Sequence, residues 1–141
     1  TQVMFLQDQV AKGKKVIVLT HHNGLSEDGQ TRANLWDQVM SGFATNKGPN
    51  YWYWGHAHAG AVYQPLGAMP VLCRCCGHGA LPWGRASALA GNSNVLWFED
   101  RAAGDPDMPQ RVFNGFAVLQ LNGPNIQETF YDENGGIAWR S

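Results

Sequence analysis

The chain of 141 residues lacks the features that mark several common classes of protein. It has no basic run and a formal net charge of −1, which argues against nucleic-acid binding through phosphate neutralisation. No stretch approaches the roughly 20 consecutive apolar residues of a membrane-spanning helix, so no membrane association is expected. Gly-x-Ser-x-Gly, Gly-x-Gly-x-x-Gly and phosphate-loop patterns are also missing. Their absence disfavours a serine hydrolase and nucleotide binding by those routes.

Cysteine is scarce and clustered, at Cys73, Cys75 and Cys76. An odd number in so short a span makes a poor disulfide framework, and vicinal cysteines rarely bridge without strain. The sequence therefore favours reduced thiols and a cytoplasmic protein. With His78, the three thiols offer an alternative zinc site. However, Cys73 and Cys75 alternate with Arg74 as half-buried strand residues do, which favours a role in the core.

The composition and the hydrophobic pattern predict a single α/β domain over residues 1–141. Hydrophobic residues make up 44% and charged residues 15%, as in globular rather than disordered chains. The chain begins within a helical pattern without an initiator Met, so we expect it to continue from something upstream. The pattern predicts helices at 1–12 and 31–43, strands at 16–20, 51–54, 60–64, 70–75 and 95–99, a long loop at 76–93, a hairpin of 112–121 with 126–131, and a last strand at 136–140.

Histidines follow two of the predicted strands. His21 and His22 follow the first strand, and the Gly55–His58 segment follows the strand at 51–54. The carboxyl ends of parallel strands lie at one edge of an open α/β sheet, so the two histidine groups converge if these strands are neighbours. His56 and His58 point to the same side of an extended backbone. Neutral imidazole is the commonest side-chain metal ligand near neutral pH, so the pattern predicts a metal site.

Each of these histidines also has a simpler interpretation. A bare His-x-His pair can be two exposed loop residues, and a histidine at a strand end is usually structural. Side chains of His21 and His22 diverge in an extended strand, so one faces the site while the other packs or donates a hydrogen bond. We predict substrate contacts for His22, for His78 and for Trp83, the last two because they lie in a glycine-rich loop beside the site.

The two histidine motifs resemble the C-terminal half of calcineurin-like metallophosphoesterases. In that family a strand ends in histidine, a helix follows, and a Gly-His-x-His motif comes next. The resemblance covers most of the chain, including the glycine-rich stretch at 77–84 and the closing strands at 116–121 and 126–132. It implies an α/β sandwich of two sheets flanked by helices, with mixed strands and a C-terminal antiparallel hairpin, of which this chain would be the C-terminal half.

By position in these motifs, the resemblance implies that His21, His56 and His58 are metal ligands. They would belong to a centre of two divalent transition ions, manganese, iron, zinc or nickel, with His56 and His58 on separate ions. His22 falls at a variable position, after which the family more often has Pro than Asn23. The family's N-terminal motifs, Asp-x-His, Gly-Asp-x-x-Asp and Gly-Asn-His-Asp/Glu, do not occur in this chain. About half a site is therefore present, and alone it would bind one ion weakly.

The activity that the resemblance implies is metal-assisted hydrolysis of a phosphoester. Two ions roughly 3.5–4 Å apart clamp a phosphoryl oxygen and activate water. The substrate would be a phosphorylated small molecule or a phosphodiester, and the missing ligands would come from the rest of the polypeptide or from another copy of the chain. The alternative is a non-catalytic fragment or binding module that keeps a relic histidine cluster.

Overall fold

The computed structural model describes residues 1–66, 70–81 and 87–141 and divides its strands between two sheets. None of the helices in these ranges is long and apolar enough to cross a bilayer. Short 3₁₀ turns lie at Gly77–Gly79 and Ser87–Leu89. The helices are α1 (Gln2–Ala11) and α2 (Leu35–Met40), and the strands are β1 (Ile17–Thr20), β2 (Tyr51–Trp54), β3 (Gly60–Tyr63), β4 (Leu72–Cys76), β5 (Val95–Phe98), β6 (Gly115–Asn122), β7 (Asn125–Asp132) and β8 (Ile137–Arg140).

The first sheet is mixed and has the strand order β1-β2-β4-β3-β5. Strands β1, β2 and β4 run parallel, whereas β3 pairs antiparallel with both β4 and β5. Thr20 at the end of β1 lies opposite Trp54 at the end of β2. Helix α2 lies in the connection between them, as parallel neighbours require a long crossover. The two strands that precede histidine are therefore neighbours, which is the condition under which their histidines converge.

The second sheet is antiparallel, with the order β6-β7-β8. The predicted hairpin is confirmed, but its connection is shorter than the four residues expected from the sequence. Asn122 pairs with Asn125, which leaves a two-residue turn in which Gly123 adopts a φ of 57°. A positive φ costs glycine little because it has no Cβ. Both strands of the hairpin are therefore eight residues long.

The two sheets pack face to face, and helix α2 covers the other face of the first sheet. The buried residues between the sheets include Tyr51 and Tyr53 of β2 and Phe130 of β7. On the opposite face, Trp52 and Trp54 of β2 join a second cluster that also contains Trp36 of α2 and the cysteines at 73 and 75. Alternate residues of β2 therefore serve two cores, as the period of a strand buried on both faces requires. The predicted α/β sandwich of two sheets is confirmed.

Local backbone contacts delay the start of helix α2, and the predicted long loop contains short helical turns. Helix α2 begins at Leu35 rather than at 31, since Arg32 forms a β-bridge with Leu25 and the N–H of Ala33 donates to the carbonyl of Gly24. These contacts keep Arg32 and Ala33 outside the helix. The predicted loop at 76–93 contains the two 3₁₀ turns, and residues 82–86 within it lie outside the described ranges.

Candidate metal centre

The ends of β1 and β2 are joined by backbone hydrogen bonds at the point where the histidines begin. The carbonyl of His21 accepts from the N–H of Gly55 at 3.2 Å and from the N–H of His56 at 2.8 Å. The loop that follows β2 is therefore fastened to the residue that follows β1. This contact places side chains 35 positions apart in the sequence beside one another.

Three imidazoles converge here, those of His21, His22 and His56. One nitrogen from each lies within 4.8 Å of the other two, and no other group of three potential ligands this close occurs in the described part of the chain. All three side chains are exposed. Nε2 of His21 lies 3.2 Å from Nδ1 of His56. We call these three residues the histidine triad.

The donor set of the histidine triad fits a transition-metal ion. Zinc in proteins is bound tetrahedrally by imidazole nitrogens at roughly 2.0–2.1 Å, which places two ligand nitrogens roughly 3.3–3.4 Å apart. The His21 and His56 nitrogens, which share a hydrogen bond, already have nearly this separation. Three exposed imidazoles also leave a fourth position open to water or substrate, as in catalytic rather than structural sites.

Thr20 explains why both adjacent histidines face the site. Its hydroxyl donates to the carbonyl of His22 at 2.8 Å and accepts from the indole N–H of Trp52, also at 2.8 Å. Strand β1 ends at Thr20, so the alternation that would separate His21 from His22 does not apply to them. Sequence reasoning assigned His22 to substrate contact and missed its place in the triad. The signal available was the predicted end of the strand at residue 20, followed by the turn residues Asn23 and Gly24.

His58 lies outside the histidine triad. Its Nδ1 is 2.7 Å from the carbonyl oxygen of Leu81. In the tautomer that donates this hydrogen bond, Nε2 has a free lone pair, which is the arrangement that orients most metal-binding histidines. A role for His58 as ligand to a second ion therefore stays a prediction.

Two clefts meet at His56. One, of about 340 Å³, is lined by His58, Glu27 and Leu89 among others. The other, of about 400 Å³, is lined by His22 and by the amide side chains of Asn23, Asn34 and Gln38. A small substrate can therefore approach the triad from either side. Trp83, the predicted aromatic contact, lies outside the described residues.

His78 is a core residue in the structure, which corrects the predicted substrate contact. Its ring is completely buried, and neither ring nitrogen has a hydrogen-bond partner. It stacks on Phe130 with the ring centroids 6.1 Å apart, and Gly60 and Gly115 leave the space that it fills. A ring enclosed between the sheets does not reach a substrate in either cleft.

Burial of His78 predicts that acid destabilises the fold. Desolvation lowers the pKa of His78 below its ordinary value of 6.5, with Glu99 opposing the shift. The unfolded chain therefore takes up a proton below about pH 6.5 that the folded chain resists, and the free energy of unfolding falls by up to about 1.4 kcal/mol per pH unit. Denaturant unfolding between pH 7.5 and 5 measures this loss. We expect His78→Leu to reduce the pH dependence, and an identical dependence in both proteins would contradict the explanation.

The three cysteines do not form the alternative zinc site. Cys73 and Cys75 are completely buried on the tryptophan-rich face of the first sheet, whereas Cys76 packs against the residues between the sheets. Burial raises the pKa values of the three thiols to about 12, 11 and 12 in chain order. They therefore remain protonated at neutral pH, although zinc binds the thiolate. The interpretation of Cys73 and Cys75 as core residues is confirmed.

Fold and site together define a two-sheet α/β sandwich that carries exposed imidazoles at the carboxyl ends of two parallel strands. No family model matches the sequence, and no curated protein matches it. Among solved structures, the chain is similar to GAP50, described as the anchor in the inner membrane complex of Plasmodium. The TM-score is 0.65 at 18% sequence identity, and the alignment covers 99% of this chain but 40% of that one. A likeness at this identity shows the fold alone, and the chain spans less than half the length of that protein.

Proposed function

We propose that this chain is the C-terminal part of a calcineurin-like metallophosphoesterase and supplies histidine ligands to a metal centre that hydrolyses phosphoesters. The observation that carries the proposal is the histidine triad at the ends of two adjacent parallel strands. The resemblance of the Gly55–His58 motif to the family is independent of this geometry. Both lines of reasoning include His21 and His56 as ligands of the centre.

The four exposed histidines divide between two ions in this proposal. His21 and His56 hold one ion together with His22, while His58, oriented by the carbonyl of Leu81, holds the second. Two bound divalent ions of manganese, iron, zinc or nickel supply Lewis-acid polarisation of a phosphoryl oxygen and activation of water. The histidines hold metal and transfer no proton. The clefts on either side of His56 offer space for the phosphoryl group and for the leaving group.

The exposed edge strands of the two sheets support the proposal that a partner completes the site. β1 is an edge strand of the first sheet, and β6 is an edge strand of the second. Leu19 of β1 is 73% exposed and Phe116 of β6 is 53% exposed, and both line one groove whose wall also includes Tyr53. Exposed apolar edge strands are commonly covered by further polypeptide. In this proposal the cover is the missing N-terminal half or another copy of the chain, and it brings the remaining ligands.

Hydrolysis by the full-length gene product tests the proposal. Loaded with manganese or zinc, it should cleave p-nitrophenyl phosphate or bis(p-nitrophenyl) phosphate. His56→Ala should lower the rate more than about 100-fold, because loss of a ligand exceeds the roughly 10–100-fold cost of losing a residue that only orients one. Asp107→Ala provides the control, since Asp107 is exposed and lines neither cleft.

The alternative function predicts a different result in the same assay. A binding module with a relic cluster would bind metal through His21 and His56 and hydrolyse neither ester. Equal rates in the wild type and in His56→Ala would also contradict the proposal, because the activity would then be independent of the triad.

A further inference from the structure

The end of β4 lies beside the loop that carries His56 and His58. β4 pairs parallel with β2 on the side opposite to β1, and Cys75 lies across from Trp54, the last residue of β2. The chain then enters the 3₁₀ turn that begins at Gly77. Residues 75–77 are therefore adjacent to the Gly55–His58 loop, although none of them was among the ligands predicted for the histidine site.

Cys75 contacts the backbone of this loop through its thiol. The buried Sγ donates to the carbonyl of Ala57, the residue between the two histidines, at 3.3 Å. Because burial raises the pKa of Cys75 to about 11, the thiol retains the proton that it donates at neutral pH. The hydrogen bond fixes the carbonyl of Ala57 on the side of the loop that faces β4.

Gly77 lies so close to the same loop that only a residue without a side chain fits there. A Cβ at this position would overlap the carbonyl oxygens of both Ala57 and Gly55. The backbone φ of Gly77 is not positive, so the requirement is for space rather than for an unusual conformation. Any other residue would push the histidine loop away from β4.

The loop is therefore held from two sides. On one side, the N–H groups of Gly55 and His56 donate to the carbonyl of His21, and on the other, the carbonyls of Gly55 and Ala57 pack on Gly77. The side chains of His56 and His58 remain exposed. We infer that Cys75 and Gly77 are positioning residues, which set the directions of the His56 and His58 imidazoles through the backbone of their loop. The effect of this positioning on metal binding rests on the proposed function.

A matched pair of cysteine variants tests the inference. Cys73 and Cys75 are both completely buried on the same face of β4, so replacing either with Ala removes a similar core group. Of these two thiols, only that of Cys75 has a described hydrogen bond to the Gly55–His58 loop. We expect Cys75→Ala, but not Cys73→Ala, to shift the imidazole NMR resonances of His56 and His58. Cobalt affinity should fall about 10-fold or more in Cys75→Ala alone, the usual cost of losing a group that orients a ligand.

Cys75→Ser keeps a donor and should restore much of the cobalt affinity and the wild-type resonances. Thermal unfolding of both Ala variants should show comparable losses of stability, which separates positioning from general weakening of the core. Unshifted histidine resonances in Cys75→Ala, or equal shifts in both Ala variants, would overturn the inference. If the wild type binds no metal, the proposed function fails, but the resonances still decide whether Cys75 positions the loop.

Discussion

Arg74→Met is expected to lower the free energy of unfolding by about 3–5 kcal/mol, the cost of leaving a buried charge without its partner. The side chains of Arg74 and Glu128 are only 3% and 1% exposed. Two hydrogen bonds, from Nε at 2.6 Å and Nη2 at 2.8 Å, join them between the sheets. Glu128 also accepts from the hydroxyl of Tyr53 at 2.7 Å. Without the guanidinium, the buried Glu128 carboxylate keeps only one described hydrogen bond, that from Tyr53, to offset the loss of its hydration.

Urea unfolding of the variant beside Arg140→Met measures this effect. Arg140 is exposed on β8, so the same change there should cost less than about 0.5 kcal/mol, as surface substitutions usually do. The double variant Arg74→Met/Glu128→Gln should recover part of the loss, since the amide is uncharged and still accepts from Tyr53. Equal stabilities of Arg74→Met and Arg140→Met would show that the pair does not stabilise the packing of the two sheets.

His21→Ala and His56→Ala are each expected to weaken zinc or cobalt binding by more than about 100-fold. Removal of a ligand should exceed the roughly 10–100-fold loss that follows removal of a residue orienting it. Each variant leaves two of the three nitrogens of the triad, and two imidazoles bind a transition ion much less tightly than three. Titration with cobalt, followed by its visible absorption, gives the affinities directly.

His22→Ala and His58→Ala distinguish the ligand set suggested by the geometry from the one implied by the family resemblance. The structure places His22 in the triad and His58 outside it, so binding of the first ion should weaken in His22→Ala and remain within a few-fold of the wild type in His58→Ala. The opposite order would mean that His58 completes the first site and that the bend after Thr20 does not direct His22 toward the ion.

Much of the site's position could be predicted from the sequence. The β-branched run before His21 and the aromatic run before His56 each predict a strand, and the intervening helical pattern predicts that the strands run parallel. Parallel neighbours bring their carboxyl ends to one edge, so the convergence of His21 and His56 follows from local patterns alone.

The composition of the triad depends on contacts that local patterns do not contain. The hydroxyl of Thr20 links the carbonyl of His22 to the indole of Trp52, and Trp52 lies on the neighbouring strand β2. A period-two pattern separates adjacent histidines only while the strand continues, and β1 ends before them. Sequence reasoning therefore favoured His58 as the third ligand of the chain.

The burial of polar residues between the sheets could not be predicted from the sequence either. The glycines around His78 suggested an open loop, but Gly60 and Gly115, distant in the sequence, provide the space that encloses its ring. Arg74 lies between two buried cysteines, and its partner Glu128 is 54 positions away on β7. Long-range complementarity of this kind becomes visible only when the two sheets are packed together.

Metal content is the most direct test of the central claim, that the histidine triad binds a transition ion. Elemental analysis after equilibrium dialysis against a fixed concentration of free zinc, which keeps even a weak site occupied, would compare the wild type with the double variant His21→Ala/His56→Ala. We predict about one zinc ion per chain in the wild type and almost none in the double variant, since one open three-histidine site binds one ion. Equal zinc in both proteins, or none in the wild type, would contradict a metal centre at the triad.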